Sequence, residues 1–315
     1  MLKSTNVHVV SKAPLGANIT RFTFQTAHEP QLGPEPGAHL NVHLPGDLIR
    51  SYSLIDWDEA TGEVSVAVKL EPDGRGGSIA MHALEVGDVV AVSGPRNNFP
   101  LDDRQDHPVL VAGGIGVTPL YSMARSLKAK GRPFTLHYLV RSRSQAVFAA
   151  LLEELGLGDR LRLHCDDVDG FMDFEALVRH HPADAHYYVC GPEPMLTAVQ
   201  RACAGLGRGT VHFERFSAAP AVARHPDQAF EVVLDTTGAA YQVPEDKSIL
   251  QVLKDAGHAI DYSCGEGTCG TCITDVLEGE IDHRDSILTQ EEKLAGDCLC
   301  ICVSRARSGR LVLDL

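Results

Sequence analysis

Cys264-Gly-Glu-Gly-Thr-Cys269-Gly-Thr-Cys272 spaces three cysteines as C-x4-C-x2-C, and Cys302 follows with 29 residues in between. This is the plant-type [2Fe–2S] spacing, and thiolates are the soft ligands that iron–sulfur chemistry requires. The interleaved glycines suit a loop that turns backbone N–H groups inward onto sulfide, which favours positive φ and close approach. Cys269-x-x-Cys272 alone would also suit half a zinc site or a dithiol redox pair. The third cysteine, the glycines and the long tail to the last cysteine favour iron–sulfur. On residues alone the fourth ligand stays open, because Cys298, Cys300 and Cys302 alternate and in a strand would share one face. The last residues, to Leu315, read as a terminal strand, expected at the edge of a small sheet where it leaves the metal near the surface. Cys165 and Cys203 read as small buried hydrophobes.

Upstream of this loop, Phe230–Asp235 and Ala240–Val243 form a hairpin-like pair and Ser248–Ala256 a short helix. Residues 217–227 are small, Pro-containing and aperiodic, a linker. Residues 104–224 alternate strand and helix: strands Pro108–Ala112, Phe134–Val140, Leu161–Cys165, His186–Cys190 and Val211–Phe213. Helical periodicity runs to Lys130, then over Ser144–Leu155, Phe174–His180 and Pro194–Leu206. Such alternation implies a parallel, doubly wound sheet. Residues 1–103 read as strands Asn6–Val10, Ile19–Gln25, His39–Leu44, Glu63–Lys69 and Val89–Ser93, separated by turns such as Leu32–Gly37 and Glu71–Gly74. That spacing suggests an antiparallel barrel with one helix at Ser78–Leu84. Three domains follow: 1–103, 104–224 and 228–315.

The 315 residues carry 44% hydrophobic and 22% charged side chains, which disfavours disordered and fibrous classes. The net charge of −14 argues against nucleic-acid binding. It is unevenly spread: residues 228–315 hold 16 acidic and 7 basic side chains, whereas 104–227 are nearly balanced with 13 and 14. An acidic segment of this kind is either a solvated face or a surface that steers a basic partner. Nine cysteines are odd in number and too few for a disulfide scaffold. The N-terminus shows no apolar signal core. Val109–Ala124, the most apolar stretch, is too short to span a bilayer and is broken by Gly113, Gly114, Gly116 and Pro119. A cytoplasmic protein with no membrane segment is expected.

Three further motifs carry chemistry. Arg50-Ser-Tyr-Ser-Leu54 in the barrel offers a cation for phosphate, an aromatic wall in Tyr52 and a hydroxyl in Ser53, as a flavin site needs. Arg75-Gly-Gly-Ser78 opens a helix whose free N–H groups suit a phosphate. Gly113-Gly-Ile-Gly-Val-Thr-Pro119 joins a buried strand to a helix, the context for a dinucleotide phosphate, although it is not Gly-x-Gly-x-x-Gly and would also serve as a tight turn. Cys190-Gly-Pro-Glu-Pro-Met195 ends a parallel strand, where ligands bind. Cys190 either faces a nicotinamide or is a buried thiol.

The order Arg50-x-Tyr-Ser, Gly113-Gly-Ile-Gly-x-Thr-Pro, Cys190-Gly-Pro and C-x4-C-x2-C-x29-C resembles the phthalate dioxygenase reductase family, in the branch of vanillate O-demethylase reductase subunits, over essentially the whole chain. Asp282-His-Arg-Asp285, Ser304-Arg-Ala306 and Leu311–Leu315 are also similar. The resemblance implies a flavin β-barrel, an α/β nucleotide domain and an α+β, β-grasp-like ferredoxin domain. It implies FMN in preference to FAD, and NADH as donor, although Arg141 and Arg143 would suit a 2′-phosphate. It carries Arg50, Tyr52, Ser53, Leu54, Gly77 and Ser78 over to FMN, with Phe216 near the flavin ring, and Gly114, Thr118 and Cys190 to the nicotinamide nucleotide. It selects Cys302 as the fourth ligand beside Cys264, Cys269 and Cys272, with Cys300 as the fallback. The implied function is a monomeric reductase that passes electrons to a Rieske-type oxygenase. The rival readings are a stand-alone reductase of free flavin or ferredoxin and a zinc-stabilised interaction module.

Overall fold

In the computed structural model the described residues are 4–16, 18–26, 34–46, 48–216 and 228–315. The linker expected at 217–227 and the start of the turn at Leu32 lie outside them. The chain divides into two compact units, one ending at Arg215 and one running from Phe216 to Leu315.

Alternating apolar residues in the first hundred positions produce six strands: β1 (Thr5–Gly16), β2 (Ile19–Thr26), β3 (His39–Leu44), β4 (Leu48–Asp58), β5 (Glu63–Lys69) and β6 (Val89–Arg96). They close antiparallel in the order β1-β2-β5-β4-β3-β6, so no edge is left to pair. The inward positions, among them Val7, Phe22, Phe24, Leu40 and Leu54, fill the barrel. Each such side chain contributes about 1.5–3 kcal/mol through burial. Helix α1 (Gly77–Ala83) plants its buried Met81 against this core.

The next segment alternates β7 (Val109–Gly113), α2 (Val117–Ala129), β8 (Thr135–Val140), α3 (Ala149–Glu154), β9 (Leu161–Cys165), the single-turn α4 (Asp166–Asp169), α5 (Phe174–His180), β10 (His186–Cys190), α6 (Glu193–Leu206) and β11 (Thr210–Glu214). The sheet is parallel, in the order β11-β10-β7-β8-β9. The direction of winding reverses between β7 and β10, the place where sheets of this kind bind ligands at the strands' carboxyl ends. Helix α2 buries Leu120, Met123, Ala124 and Leu127 in one core with Leu110 and Leu136 of the sheet and with Ile55 and Phe99 of the barrel segment. One expectation needs correction: Ser144–Leu155 is not a single helix. A 3-10 turn at Arg143–Gln145, where the Ser142 and Ser144 hydroxyls bond each other at 3.0 Å, precedes the shorter α3.

The second unit contains β12 (Phe230–Leu234), β13 (Ala240–Val243), α7 (Ile249–Asp255), β14 (Ile273–Glu278), β15 (Ile281–Asp282), α8 (Gln290–Ala295), β16 (Cys298–Cys300), β17 (Arg305–Ala306) and β18 (Arg310–Leu313). Its sheet order is β13-β12-β18-β14-β16, and β15 pairs with β17 separately. Ser248 caps α7 through Gln251 N at 3.1 Å, and α7 presses Ile249, Leu250 and Leu253 onto the sheet.

Two expectations fail here. The terminal strand β18 is central, parallel to β12 and antiparallel to β14, because Leu311 and Leu313 belong to the core rather than to a rim. The alternating cysteines do not continue as one strand. β16 ends at Cys300, where Val303 N and Ser304 N both bond Cys300 O (3.1 and 2.9 Å), so Cys302 sits in a turn.

Candidate functional site

The cysteine loop is drawn into a nest of sulfurs. Backbone N–H groups of Glu266 and Thr268 donate to Cys264 Sγ at 3.3 and 3.4 Å, and Cys264 N donates to Cys269 Sγ at 3.4 Å. Gly265, Gly267 and Gly270 hold φ near +67 to +69°, which lets the chain turn its amides inward. Among the described residues no cysteine forms a disulfide, and those of the nest lie close enough to shift one another's protonation. Hydrogen bonds from Cys269 and Cys302 pull the Cys264 thiol down, and those from Cys300 and Cys302 pull Cys272 down to about 4. Cys269, Cys302 and Cys300, as donors, are pushed up. Two sulfurs readily made anionic, ringed by amide donors in an apolar core, fit an iron–sulfur cluster. Cys302 reaches both Cys264 and Cys272, whereas Cys300 bonds only Cys272 among the ligand candidates.

In the first unit, β4 delivers Arg50, Tyr52, Ser53 and Leu54. Arg50 lies over the start of α1, donating to Ile49 O at 2.8 Å and Arg75 O at 2.9 Å. Gly77 makes this approach possible, since a Cβ there would stand 2.5 Å from Arg50 Cγ and Nε. No side chain caps α1, so its first amides stay available to an anion. Ser78 turns away from the helix end, with its hydroxyl accepting from Glu71 N (3.0 Å) and donating to Glu71 O (3.3 Å). Tyr52 packs beside the barrel core, and burial pushes its phenol up while Arg50 pulls it down. Leu54 is fully buried inside the barrel. A single cation, an uncapped helix start and a cradle that only glycine leaves open fit a flavin phosphate.

Residue Ser53 reveals a residue that sequence reading left without a role. Ser53 lies close enough to Glu214, the last residue of β11, to pull that carboxyl's pKa down, and Glu214 sits in register beside Cys190 at the end of β10. Glu214 as a residue is half-buried, but its Oε2 is sealed from solvent and has no partner. Burial pushes its carboxyl up to about 8, against the pull of Ser53. Burial, with Glu214 adding to it, raises the Cys190 thiol well above its ordinary value and keeps it protonated. The signal in the sequence was the position of Glu214 at the carboxyl end of a parallel strand, two residues before Phe216.

The glycine motif and the Cys190 motif interlock. A Cβ on Gly116 would lie 2.3 Å from Cys190 O, and one on Gly113 would lie 2.7 Å from Pro192 Cδ. Gly114 has φ +55° and open space around it. Thr118 is buried and bonds Ile115 O at 3.0 Å within the turn. Phe216 is exposed just beyond β11.

A barrel with a phosphate cradle, a crevice at a parallel-sheet switch point and a four-cysteine nest define an oxidoreductase that couples a flavin, a nicotinamide nucleotide and an iron–sulfur cluster. Comparison with known families gives the same assignment: an oxidoreductase FAD-binding domain at residues 6–100, an oxidoreductase NAD-binding domain at 110–201 and a 2Fe-2S iron-sulfur cluster binding domain at 232–307. The phthalate dioxygenase reductase of Burkholderia cepacia is 40% identical over 98% of this chain and 96% of its own length. The vanillate O-demethylase oxidoreductase of a Pseudomonas strain is 43% identical over 89% of this chain and 90% of its own. The crystal structure of a phthalate dioxygenase reductase superposes with a TM-score of 0.72 at 39% identity, covering 99% of this chain and 98% of that one. The chain belongs to the phthalate dioxygenase reductase family.

Proposed function

We propose that this protein is the reductase component of a two-component Rieske-type aromatic oxygenase, carrying electrons from NADH through FMN and a [2Fe–2S] cluster to the oxygenase. The observation that carries the reading is the presence in one chain of the Ser53–Glu214–Cys190 crevice and the Cys264–Cys302 nest. When bound, the flavin takes a hydride and gives up single electrons, and the cluster relays them singly. The chain itself supplies position and charge. Arg50 and the first amides of α1 hold one phosphate, which favours a mononucleotide, FMN, with Tyr52 walling the ring, Leu54 backing the strand from inside the barrel, and Gly77 and Ser78 shaping the phosphate turn. Gly114 and Thr118 receive the pyrophosphate of the dinucleotide, and Cys190 abuts the nicotinamide. Glu214, whose burial keeps its carboxyl protonated at neutral pH, and Ser53 would offer two hydrogen-bond donors to the flavin ring. Phe216 is assigned to the flavin face by resemblance.

Cys264, Cys269, Cys272 and Cys302 are the proposed cluster ligands, with Cys302 favoured over Cys300 because it lies within the influence of both Cys264 and Cys272. Domain limits of 1–103, 104–224 and 228–315 go with this reading. A cytoplasmic monomer completes it; no helix among the described residues is long and apolar enough to cross a membrane.

The purified protein should show flavin and iron–sulfur absorbance bleached by NADH, and should release FMN on denaturation. A colourless protein holding stoichiometric zinc would sink the proposal. Fast reduction of free flavin that ignores Cys272→Ser would instead mark a stand-alone reductase.

A further inference from the structure

Asp282-His-Arg-Asp285 is a motif singled out in the sequence that the electron path does not use. Asp285 follows β15 and its side chain is fully buried. Lys293 of α8 donates to its main-chain oxygen at 2.8 Å and stands 3.3 Å from Oδ2, which also accepts from Leu288 N at 3.3 Å. Oδ1 has no partner. Across from it, 4.0 Å away, lies Nδ1 of His283, a buried imidazole whose two ring nitrogens are also unpartnered. Burial disfavours the imidazolium, so His283 does not balance the carboxylate. Asp282 and Arg284 neutralise each other at 2.7 Å.

The carboxylate lies directly behind the cysteine loop. Ser286 N donates to Gly267 O at 2.9 Å, and a Cβ on Gly267 would stand 2.9 Å from Asp285 Cα and 2.6 Å from Val303 Cγ2. Gly267 is therefore glycine because the Asp285 backbone and the turn carrying Cys302 close on it. Lys293 is one-quarter exposed on its outer side. The pair is a buried dipole set behind the cysteine loop, with Asp285 fully buried and Lys293 partly exposed to solvent. In an apolar surround such a fixed charge acts strongly on a neighbouring redox centre.

We propose that Asp285 is a positioning and charge-setting residue of the cluster: it braces the Cys264–Cys272 loop through Gly267, and its buried carboxylate lowers the cluster's midpoint potential, opposed by Lys293. The inference rests on the cluster reading of the four cysteines. A reduced cluster carries one more negative charge, so a fixed anion behind it favours the oxidised form and makes the centre a stronger donor. Lys293 partly offsets this.

The test is an EPR-monitored redox titration of the full-length holoprotein at a pH well above the carboxylate range. Asp285→Asn keeps the shape and one acceptor for Leu288 N but removes the charge. It should shift the electron equilibrium toward reduced cluster by at least about threefold, roughly 30 mV upward for one electron. Lys293→Gln should move the potential downward. A purely structural role predicts lost iron without opposite shifts. Unchanged potentials with full iron content, or both variants shifting the same way, would overturn the proposal. If Asp285→Asn fails to hold a cluster, Lys293→Gln decides: a downward shift supports the proposal, and no shift or an upward one refutes it. A wild-type protein without an EPR-active cluster would refute the cluster reading itself, a different outcome.

Discussion

The two redox regions are built in opposite ways. The cysteine nest takes three of its four proposed ligands from nine consecutive residues, and the fourth from a turn pinned to the same sheet. The proposed flavin and nicotinamide site draws Ser53 from the barrel, Cys190 from β10 and Glu214 from β11, residues more than 130 positions apart at the extremes. A contiguous site depends on local turns, and a crossed site depends on the packing of whole layers. Mutations should therefore separate them cleanly.

The largest separation is expected from Cys272→Ser. Loss of a soft ligand should abolish the iron–sulfur absorbance and lower electron delivery to a protein acceptor by about a hundredfold or more. NADH-driven reduction of ferricyanide, which draws on the flavin, should stay within about twofold of the unmodified protein. Parallel collapse of both activities would show that the two regions are not independent.

Next comes Gly116→Ala. Its Cβ would stand 2.3 Å from Cys190 O, a backbone atom that cannot rotate away. Overpacking of this kind costs about 1–3 kcal/mol and should raise the KM for NADH, leaving the cluster's EPR signal unchanged. Gly114→Ala meets open space and only the left-handed φ of +55°, so its cost is about 1–2 kcal/mol with little backbone displacement. If Gly114→Ala proves the more disruptive for folding, the interlocking of the two glycine loops is not what fixes the crevice.

The crevice unit should also respond to pH in two opposite directions. Glu214 is raised from 4.5 to about 8, so the folded state retains a proton that the unfolded chain releases. Its contribution to stability is present at low pH and is lost as pH rises from about 5 through about 8. His137 and His181, whose Nε2 atoms sit 2.9 Å apart, are both lowered from 6.5 to about 4, chiefly by burial. Their contribution is present at neutral pH and is lost as pH falls from about 6.5 through about 4. Thermal unfolding of Glu214→Gln should lose the alkaline decline, and His181→Gln should lose much of the acidic one. Each effect is on the order of 2 kcal/mol. A Glu214→Gln profile that matches the unmodified protein from pH 5 to 8 would show that the carboxyl is not sealed as its geometry indicates.

The same contrast explains what was legible in the sequence. Ligand spacing is a property of the chain, so the iron–sulfur domain could be read from Cys264, Cys269 and Cys272 directly. Strands with strict periodicity, such as His39–Leu44 and Leu161–Cys165, also matched to the residue. Glu214 was not assigned because a place at the end of a parallel strand, its one local mark, is shared by several residues and singles out none. Its role arises when β11 joins the sheet beside β10 and the barrel covers their ends. The Cys298-Cys300-Cys302 alternation misled for a related reason. Alternation states which residues share a face if a strand continues, and the Cys300 carbonyl is instead captured by Val303 and Ser304. The terminal strand was misplaced because an amphipathic strand looks alike at an edge and at the centre until its partners are known.

The smallest effect tests whether the two regions also differ in how they meet other molecules. The second unit's described residues carry 16 acidic side chains against 7 basic ones, and its exposed surface includes Asp275, Glu278, Glu291 and Glu292 together with Leu277 and Leu294. The segment that forms the nucleotide sheet is nearly balanced. Long-range attraction between an acidic surface and a basic partner is screened over about 10 Å at 0.1 M salt. Raising salt from about 0.05 to about 0.3 M should therefore slow electron delivery to the oxygenase several-fold, chiefly through the association rate. Reduction of flavin by NADH, followed by stopped flow, should change by less than about twofold. Glu291→Gln and Glu292→Gln together should reduce the salt slope of delivery without altering NADH oxidation. An equal salt response in both steps would mean that the acidic excess is a solvated face and that docking relies on apolar contact alone.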